Sequence, residues 1–185
     1  MNRLKEKYNK EVVPALQKEF KVDNAFMLPR IRKIVINMGV SDPQDPRTRR
    51  QAIENIMEQF KIITGQAPQM THAKKAIAGF KLRAGDPLGV MVTLRGEKMW
   101  QFLDKLITIV LPRVKDFRGV PRTAFDSQGN YSLGIHEQIV FSELSYDQIE
   151  RIRGLQINIV TNSGNDEQSL RMLELMGMPF TKEEK

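Results

Sequence analysis

An α+β fold, with an antiparallel sheet covered by helices on one face, is predicted by three features of this sequence. Apolar residues recur at helical spacing in several long stretches, alternating stretches rich in Ile, Val and Thr lie between them, and Gly or Pro separates the two kinds. With 185 residues, 41% of them apolar, the chain can bury one core and does not demand two. A single domain over 1–185 is therefore expected.

The helices follow from their stripes and caps. Leu4, Tyr8, Val12, Leu16 and Phe20 recur every fourth residue and predict a first helix, kinked at Pro14, whose ring and missing N–H disturb a helix interior. Asp45 as N-cap and Pro46 at the first position open a second. Its apolar face is Ile53, Ile56, Met57, Phe60 and Ile63, and Gly65 ends it. Met99, Phe102, Leu103, Leu106, Ile107 and Val110 form the stripe of a third, which Pro112 stops. Ser145 and Gln148 have capping-box spacing and predict a short helix through Ile149 and Ile152 to Gly154. A last helix is predicted over 166–176, ended by Gly177 and Pro179.

Strands are predicted at 31–39, 66–72, 88–95, 133–141 and 155–161. The order of elements contains βαββαβ, the ferredoxin-like or RRM-like unit, with helices on one face of the sheet. Because strand side chains alternate, Ile34, Ile36 and Met38 oppose Lys33, Val35 and Asn37, while Leu88, Val90, Val92 and Leu94 oppose Met91, Thr93 and Arg95. Leu133, Ile135, Ile139 and Phe141 oppose His136 and Gln138, and Leu155, Ile157 and Ile159 oppose Gln156 and Asn158. One sheet face should thus carry amides, hydroxyls and cations. Such a face suits RNA, since neutral donors and acceptors reach 2′-hydroxyls and base edges while Arg and Lys meet phosphate. An ordinary solvated face has the same pattern. The face lacks the aromatic pairs that stack splayed bases, which favours a structured RNA read by shape.

Charge and composition narrow the function classes. Lys and Arg number 29 against 22 Asp and Glu, for a net charge of +7, which favours a polyanionic partner. There is no Cys and there are two His, His72 and His136, far apart in sequence, so no metal site or thiolate nucleophile is expected. Gly129 and Gly134 have P-loop spacing, but Ile135 and His136 follow where Lys and Ser or Thr are required. No cofactor, small-molecule substrate or enzymatic activity is expected. Without an apolar leader or a run of ~20 apolar residues, a cytoplasmic protein with no membrane partner is expected.

Three charged segments stand out. The stretch 71–83 holds Lys74, Lys75, Lys81 and Arg83 with no acid, around Ala76, Ile77, Gly79 and Phe80. It reads either as a basic finger with an apolar tip, suited to phosphates and a nucleotide face, or as a loop folding Phe80 into the core. Arg113, Lys115, Arg118 and Arg122 form a second basic cluster, which a solvated turn would equally explain. From Glu137 to Glu150 the chain has no Lys or Arg but carries Glu137, Glu143, Asp147 and Glu150, a patch that repels RNA and suits a basic protein.

The segments NMGV (37–40), KLRAGDPLGVMVTLRGEKMWQFLDKLITIVLPRVKDFRGV (81–120), GNYSLGIHEQIVF (129–141) and RGLQINIV (153–160) closely resemble the bacterial large-subunit ribosomal protein L-five family, and the resemblance runs nearly end to end. It implies a structural, ribosome-bound role in the central protuberance: binding 5S rRNA, helping attach it to 23S rRNA, touching P-site tRNA and bridging to a basic protein of the small-subunit head. It further implies that Asn37, Gln66, Thr93 and Arg95 meet 5S rRNA, with Lys33 beside them on the face read above. Lys74 through Arg83 match the family's tRNA-contacting loop, and Glu143, Asp147 and Glu150 would face the protein bridge. A free RNA chaperone or regulator using the same sheet face is the alternative. The chain departs from the family pattern at His136, at Ser127 and Gln128 before Gly129, at Ser142 and at Gln156.

Overall fold

The structure, a computed structural model, describes residues 2–41 and 45–181. Its strands are β1 (Ile31–Gly39), β2 (Gln69–His72), β3 (Pro87–Leu94), β4 (Tyr131–Ile135) and β5 (Leu155–Thr161), hydrogen-bonded in the order β2-β3-β1-β5-β4. The contacts at strand ends show antiparallel pairing. Val40 N–H, after β1, donates to Leu88 O at the start of β3 (2.8 Å), and Asn162 N–H, after β5, donates to Arg30 O before β1 (3.2 Å). The βαββαβ unit is present, with one difference from the expected reading. The strand beside β1 is β5, and β4 is added outside it at the edge.

Two compact units are distinguished along the chain. The first comprises residues up to Ile34, Arg95–Leu133 and those from Asn158 onward. Here α1 (Arg3–Lys7) and α2 (Val13–Phe20) are joined by a π-type turn, Tyr8–Val12. Similarly, α4 (Gly96–Lys105) passes through a second such turn, Leu106–Val110, into α5 (Leu111–Arg113). Val13 N–H bonds back to Tyr8 O and Leu111 N–H to Leu106 O, one residue further than in an α-helix. Each wide turn immediately precedes the turn holding a proline, Pro14 or Pro112, and makes room for a ring that would clash with a preceding carbonyl. Consequently Pro112 does not stop its helix, which runs on to Arg113.

The N-terminal helix lies along α4 through Tyr8 and Trp100, whose ring centroids are 5.5 Å apart, and through Arg3–Asp104 (2.8 Å) and Lys5–Glu97 (2.5 Å). Leu16, Leu103, Leu106, Met172 and Leu173 are completely buried. The last two belong to α6 (Asp166–Met176), whose N-cap is Asn165, accepting from Glu167 N–H, and whose end is the left-handed Gly177.

The second unit comprises Val35–Leu94 and Gly134–Ile157. Its helix α3 (Pro46–Thr64) opens as the sequence predicts, with Asp45 accepting from Thr48 N–H (3.1 Å) and Thr48 Oγ1 (2.8 Å). Those bonds, the backbone one foremost, hold the Asp45 carboxyl below its usual range. The helix buries Ile53, Ile56, Phe60 and Ile63 and packs on β2 and β3.

Two sequence expectations fail in this unit for one reason. The stretch 133–141 leaves strand geometry after Ile135 and turns at Gln138–Val140, and Ser145 with Gln148 closes a capping box around only a three-residue 3₁₀ turn, Tyr146–Gln148. Gln138, read as an outward residue, is 1% exposed. Its amide donates to Arg151 O (2.8 Å) and its oxygen accepts from Arg153 N–H, while Gln59 Nε2 donates to Gln148 O (2.8 Å). Long-range side chains thereby take backbone groups of 148–153 that a continued helix would use, and the chain runs through 149–154 without helical structure.

Candidate nucleic-acid interface

The face read as polar is built strand by strand. On β1, Ile34, Ile36 and Met38 are buried, while Lys33, Val35 and Asn37 are half-buried between them. On β3, Val90, Val92 and Leu94 are buried, Met91 is half-buried and Thr93 is exposed. Leu88, placed inside by its alternation, is instead 37% exposed. Arg95, expected on the strand, lies just past the end of β3 as the N-cap of α4 and is exposed. Gln66 lies in the turn after α3 and not on β2, its backbone bonded on both sides to Thr64 Oγ1.

The β2–β3 register adds residues that sequence reading did not assign to this face. Gln69 pairs with Met91 and Thr71 with Gly89, and paired residues point to the same side. Gln69 and Thr71 therefore share the side of Met91, and the register shifts between Thr71 and His72 where the strand leaves the sheet. Gly89 is required here, because a Cβ would lie 2.5 Å from Met38 O. In the other unit, Ser132 Oγ donates to Asn158 Oδ1 (3.0 Å) across β4 and β5. Hydroxyls and amides thus recur on outward positions, and none of the outward residues named on these strands is aromatic.

The finger has a defined shape. Ala73 N–H donates to Asp86 O and Gly85 N–H to Ala73 O (both 2.9 Å), closing its base. Ile77 and Leu82 pair at its waist, and Ala78–Phe80 forms a 3₁₀ turn before left-handed Lys81 at φ 51°. The waist keeps Phe80 out of the core, where it is 70% exposed, with Ile77 46% exposed below it. Lys74, Lys75, Lys81 and Arg83 are all exposed, as are Ala76 and Gly79, and none of the four cations forms an ion pair among the described residues.

The other charged segments divide. Arg113, Lys115 and Arg118 are exposed, whereas Arg122 pairs with Glu174 (2.6 Å), donates to Thr181 O (3.0 Å) and lies over the Phe180 ring. Arg122 is therefore part of the packing. Glu137, Glu143, Asp147 and Glu150 are exposed, with Glu150 accepting from Asn55 Nδ2 (2.5 Å). At the departure preceding Gly129, Ser127 takes a left-handed φ of 64° that favours glycine, and Asp166 accepts its N–H (3.2 Å). Among the described residues no three His, Asp or Glu are grouped to hold a metal, and no helix is long and apolar enough to cross a membrane.

Comparison with known proteins shows the family of the chain. The family model for ribosomal protein L5 matches residues 24–83, and the model for the C-terminus of the same ribosomal family matches residues 87–180. The chain belongs to the ribosomal L5 protein family. The first L5 match takes in β1, α3, β2 and the finger, and the second starts at β3, so the division falls at the finger's base. Among L5 relatives, the large ribosomal subunit protein uL5 of Chloroflexus aurantiacus and that of Chloroflexus aggregans are each 54% identical to this chain over 178 residues. Those residues are 96% of this chain and 97% of the relative. RNA binding is typical of the L5 family.

Proposed function

We propose that this chain, a structural constituent of the large ribosomal subunit and not an enzyme, binds 5S rRNA through Lys33, Asn37, Gln66, Thr93 and Arg95 and helps attach it to 23S rRNA. The finger Lys74–Arg83 reaches P-site tRNA, and Glu143, Asp147 and Glu150 meet a basic protein of the small-subunit head. The observation that carries the 5S assignment is the strand alternation: apolar side chains beneath, and Asn37, Thr93, Gln69 and Thr71 above. Such a surface offers donors and acceptors at fixed spacing without stacking platforms, which fits a folded RNA better than a loose strand.

The assignment is tested by titrating 5S rRNA over a range of salt concentrations. Lys33→Ala and Arg95→Ala should each weaken binding and lower the slope of log affinity against log salt by up to ~1, the change for one lost phosphate contact. Asn37→Ala should cost about 1–3 kcal/mol and leave the slope alone, since a neutral amide releases no counterion. Unchanged affinity and slope in all three folded variants would remove the sheet as the binding face.

The finger makes a separable contribution. Replacing residues 76–80 with Gly and Ser removes the apolar tip while keeping Lys74, Lys75, Lys81 and Arg83, and the closed base at Ala73 and Asp86 confines the change to the loop. Affinity for 5S rRNA should hold, and tRNA should leave the P site of ribosomes carrying the variant faster, because lost contacts act mainly on the off-rate. Loss of 5S binding with unaltered tRNA release would give the finger to the other RNA.

A further inference from the structure

Phe26 and Met27 are adjacent, 78% and 69% exposed, and stand in no predicted element. They are presented by a short 3₁₀ turn, Ala25–Met27, that is fastened at both ends. Asn24 Oδ1 accepts from Phe26 N–H (2.9 Å) and Asn24 O from Met27 N–H (3.0 Å). Behind the pair, Leu28 is buried, Tyr8 OH donates to Pro29 O (2.9 Å) and Arg30 N–H donates to Asn162 Oδ1 (2.7 Å). The turn therefore holds two large apolar side chains outward, at the cost of keeping their surface in water.

The charge of the flanking sequence points to the occupant. Lys18, Lys21, Arg30 and Arg32 are exposed and form no ion pair among the described residues. Of the two acids nearby in sequence, Glu19 is engaged by Arg171 (2.9 Å), leaving Asp23. An apolar platform flanked along the chain by exposed cations suits a ligand that combines a flat apolar face with negative charge on either side. A protein partner's apolar pocket would not call for that excess of cations.

We propose that this knob is an RNA site separate from the strands and the finger, in which Phe26 stacks on an unpaired nucleobase, Met27 packs at the base edge and the cations hold the flanking phosphates. It rests on the reading that the chain binds RNA, and is independent of which face carries 5S rRNA.

The test uses the full chain with a 5S rRNA transcript, and with a fully paired RNA duplex of equal length as control. Phe26→Ala should lower affinity for 5S rRNA by roughly 5- to 100-fold, the range for one lost base–aromatic stack, with the salt slope unchanged and duplex binding unaffected. Phe26→Trp should keep the affinity, and its emission should be quenched on binding against the constant background of Trp100, which is 8% exposed. Because Phe26 is exposed, neither change disturbs the core. Unchanged affinity in Phe26→Ala, an equal loss on the duplex, or an unquenched Trp in the bound complex each overturns the proposal. Lys33→Ala, Arg95→Ala and Asn37→Ala, run in parallel, separate the two readings. A loss in Phe26→Ala with none in those three removes the sheet face and keeps the knob, a loss in any of the three with none in Phe26→Ala does the reverse, and absence of binding to either RNA overturns both.

Discussion

Tyr131→Ala is expected to destabilise the first unit by about 3–5 kcal/mol, the usual cost of removing a buried aromatic ring. Tyr131, at the start of β4, is completely buried, with its ring 4.9 Å from that of Phe125 and 5.6 Å, edge-on, from that of Phe180. Its hydroxyl donates to Pro121 O (2.8 Å), and burial raises its pKa. One side chain thus joins the loop before β4, the strand itself and the segment after α6. Tyr131→Phe keeps the ring contacts and loses the single hydrogen bond, so it should cost about 1–3 kcal/mol. Urea denaturation of the two variants checks the ordering. Equal losses would mean that the hydroxyl, and not the ring stack, holds the segment.

How far the sequence predicted this fold depends on how local each determinant is. The apolar stripes and terminal residues of α3 and α6 are local, and the structure keeps Asp45, Gly65 and Gly177 in their expected places. The capping box at Ser145 and Gln148 is local too, and it forms. The helix expected beyond it does not, because Gln138 and Gln59, distant in sequence, take the backbone groups of 148–153. Similarly, strand phase exposes Asn37 and Thr93 to sequence reading, but the side of Gln69 and Thr71 depends on a register set by β3.

The candidate RNA-binding segments follow the same division. A basic finger is visible in composition, because its four cations lie within ten residues free of acid. Composition leaves the direction of Phe80 open, since a Phe in a loop packs inward as readily as it stands out. The Ile77–Leu82 pairing decides it. Arg122 shows the converse: grouped by charge with Arg113, Lys115 and Arg118, it is held by Glu174, and its role is structural. Phe26 and Met27 carry no periodic signal at all. Only the exposure imposed by the Asn24, Pro29 and Arg30 anchors distinguishes them from an apolar pair on its way into the core.

Gln138→Glu should be the most damaging single substitution in the second unit, and its damage should depend on pH. Gln138 is 1% exposed and uses both ends of its amide, donating to Arg151 O and accepting from Arg153 N–H. A carboxylate there keeps the acceptor, loses the donor and sets a buried negative charge against the Arg151 carbonyl. Burial and that carbonyl both disfavour ionisation, so the folded-state pKa of the introduced carboxyl rises above the unfolded value of about 4.3. A raised folded pKa means that the variant is most stable below the unfolded value, where the protonated carboxyl can still donate to Arg151 O. Stability then falls as pH rises from there through the folded pKa. At neutral pH the loss should reach several kcal/mol, beyond the roughly 2–4 kcal/mol expected for Gln138→Ala, which leaves two backbone groups unpaired without adding charge. Urea midpoints for the two variants at pH ~4 and pH ~7, either side of the raised pKa, make the comparison, with the unsubstituted chain correcting for its own titration. The difference between the Glu and Ala variants should shrink or reverse at the lower pH. A constant difference would show that water reaches residue 138, and that its side chain does not hold the backbone of Arg151 and Arg153.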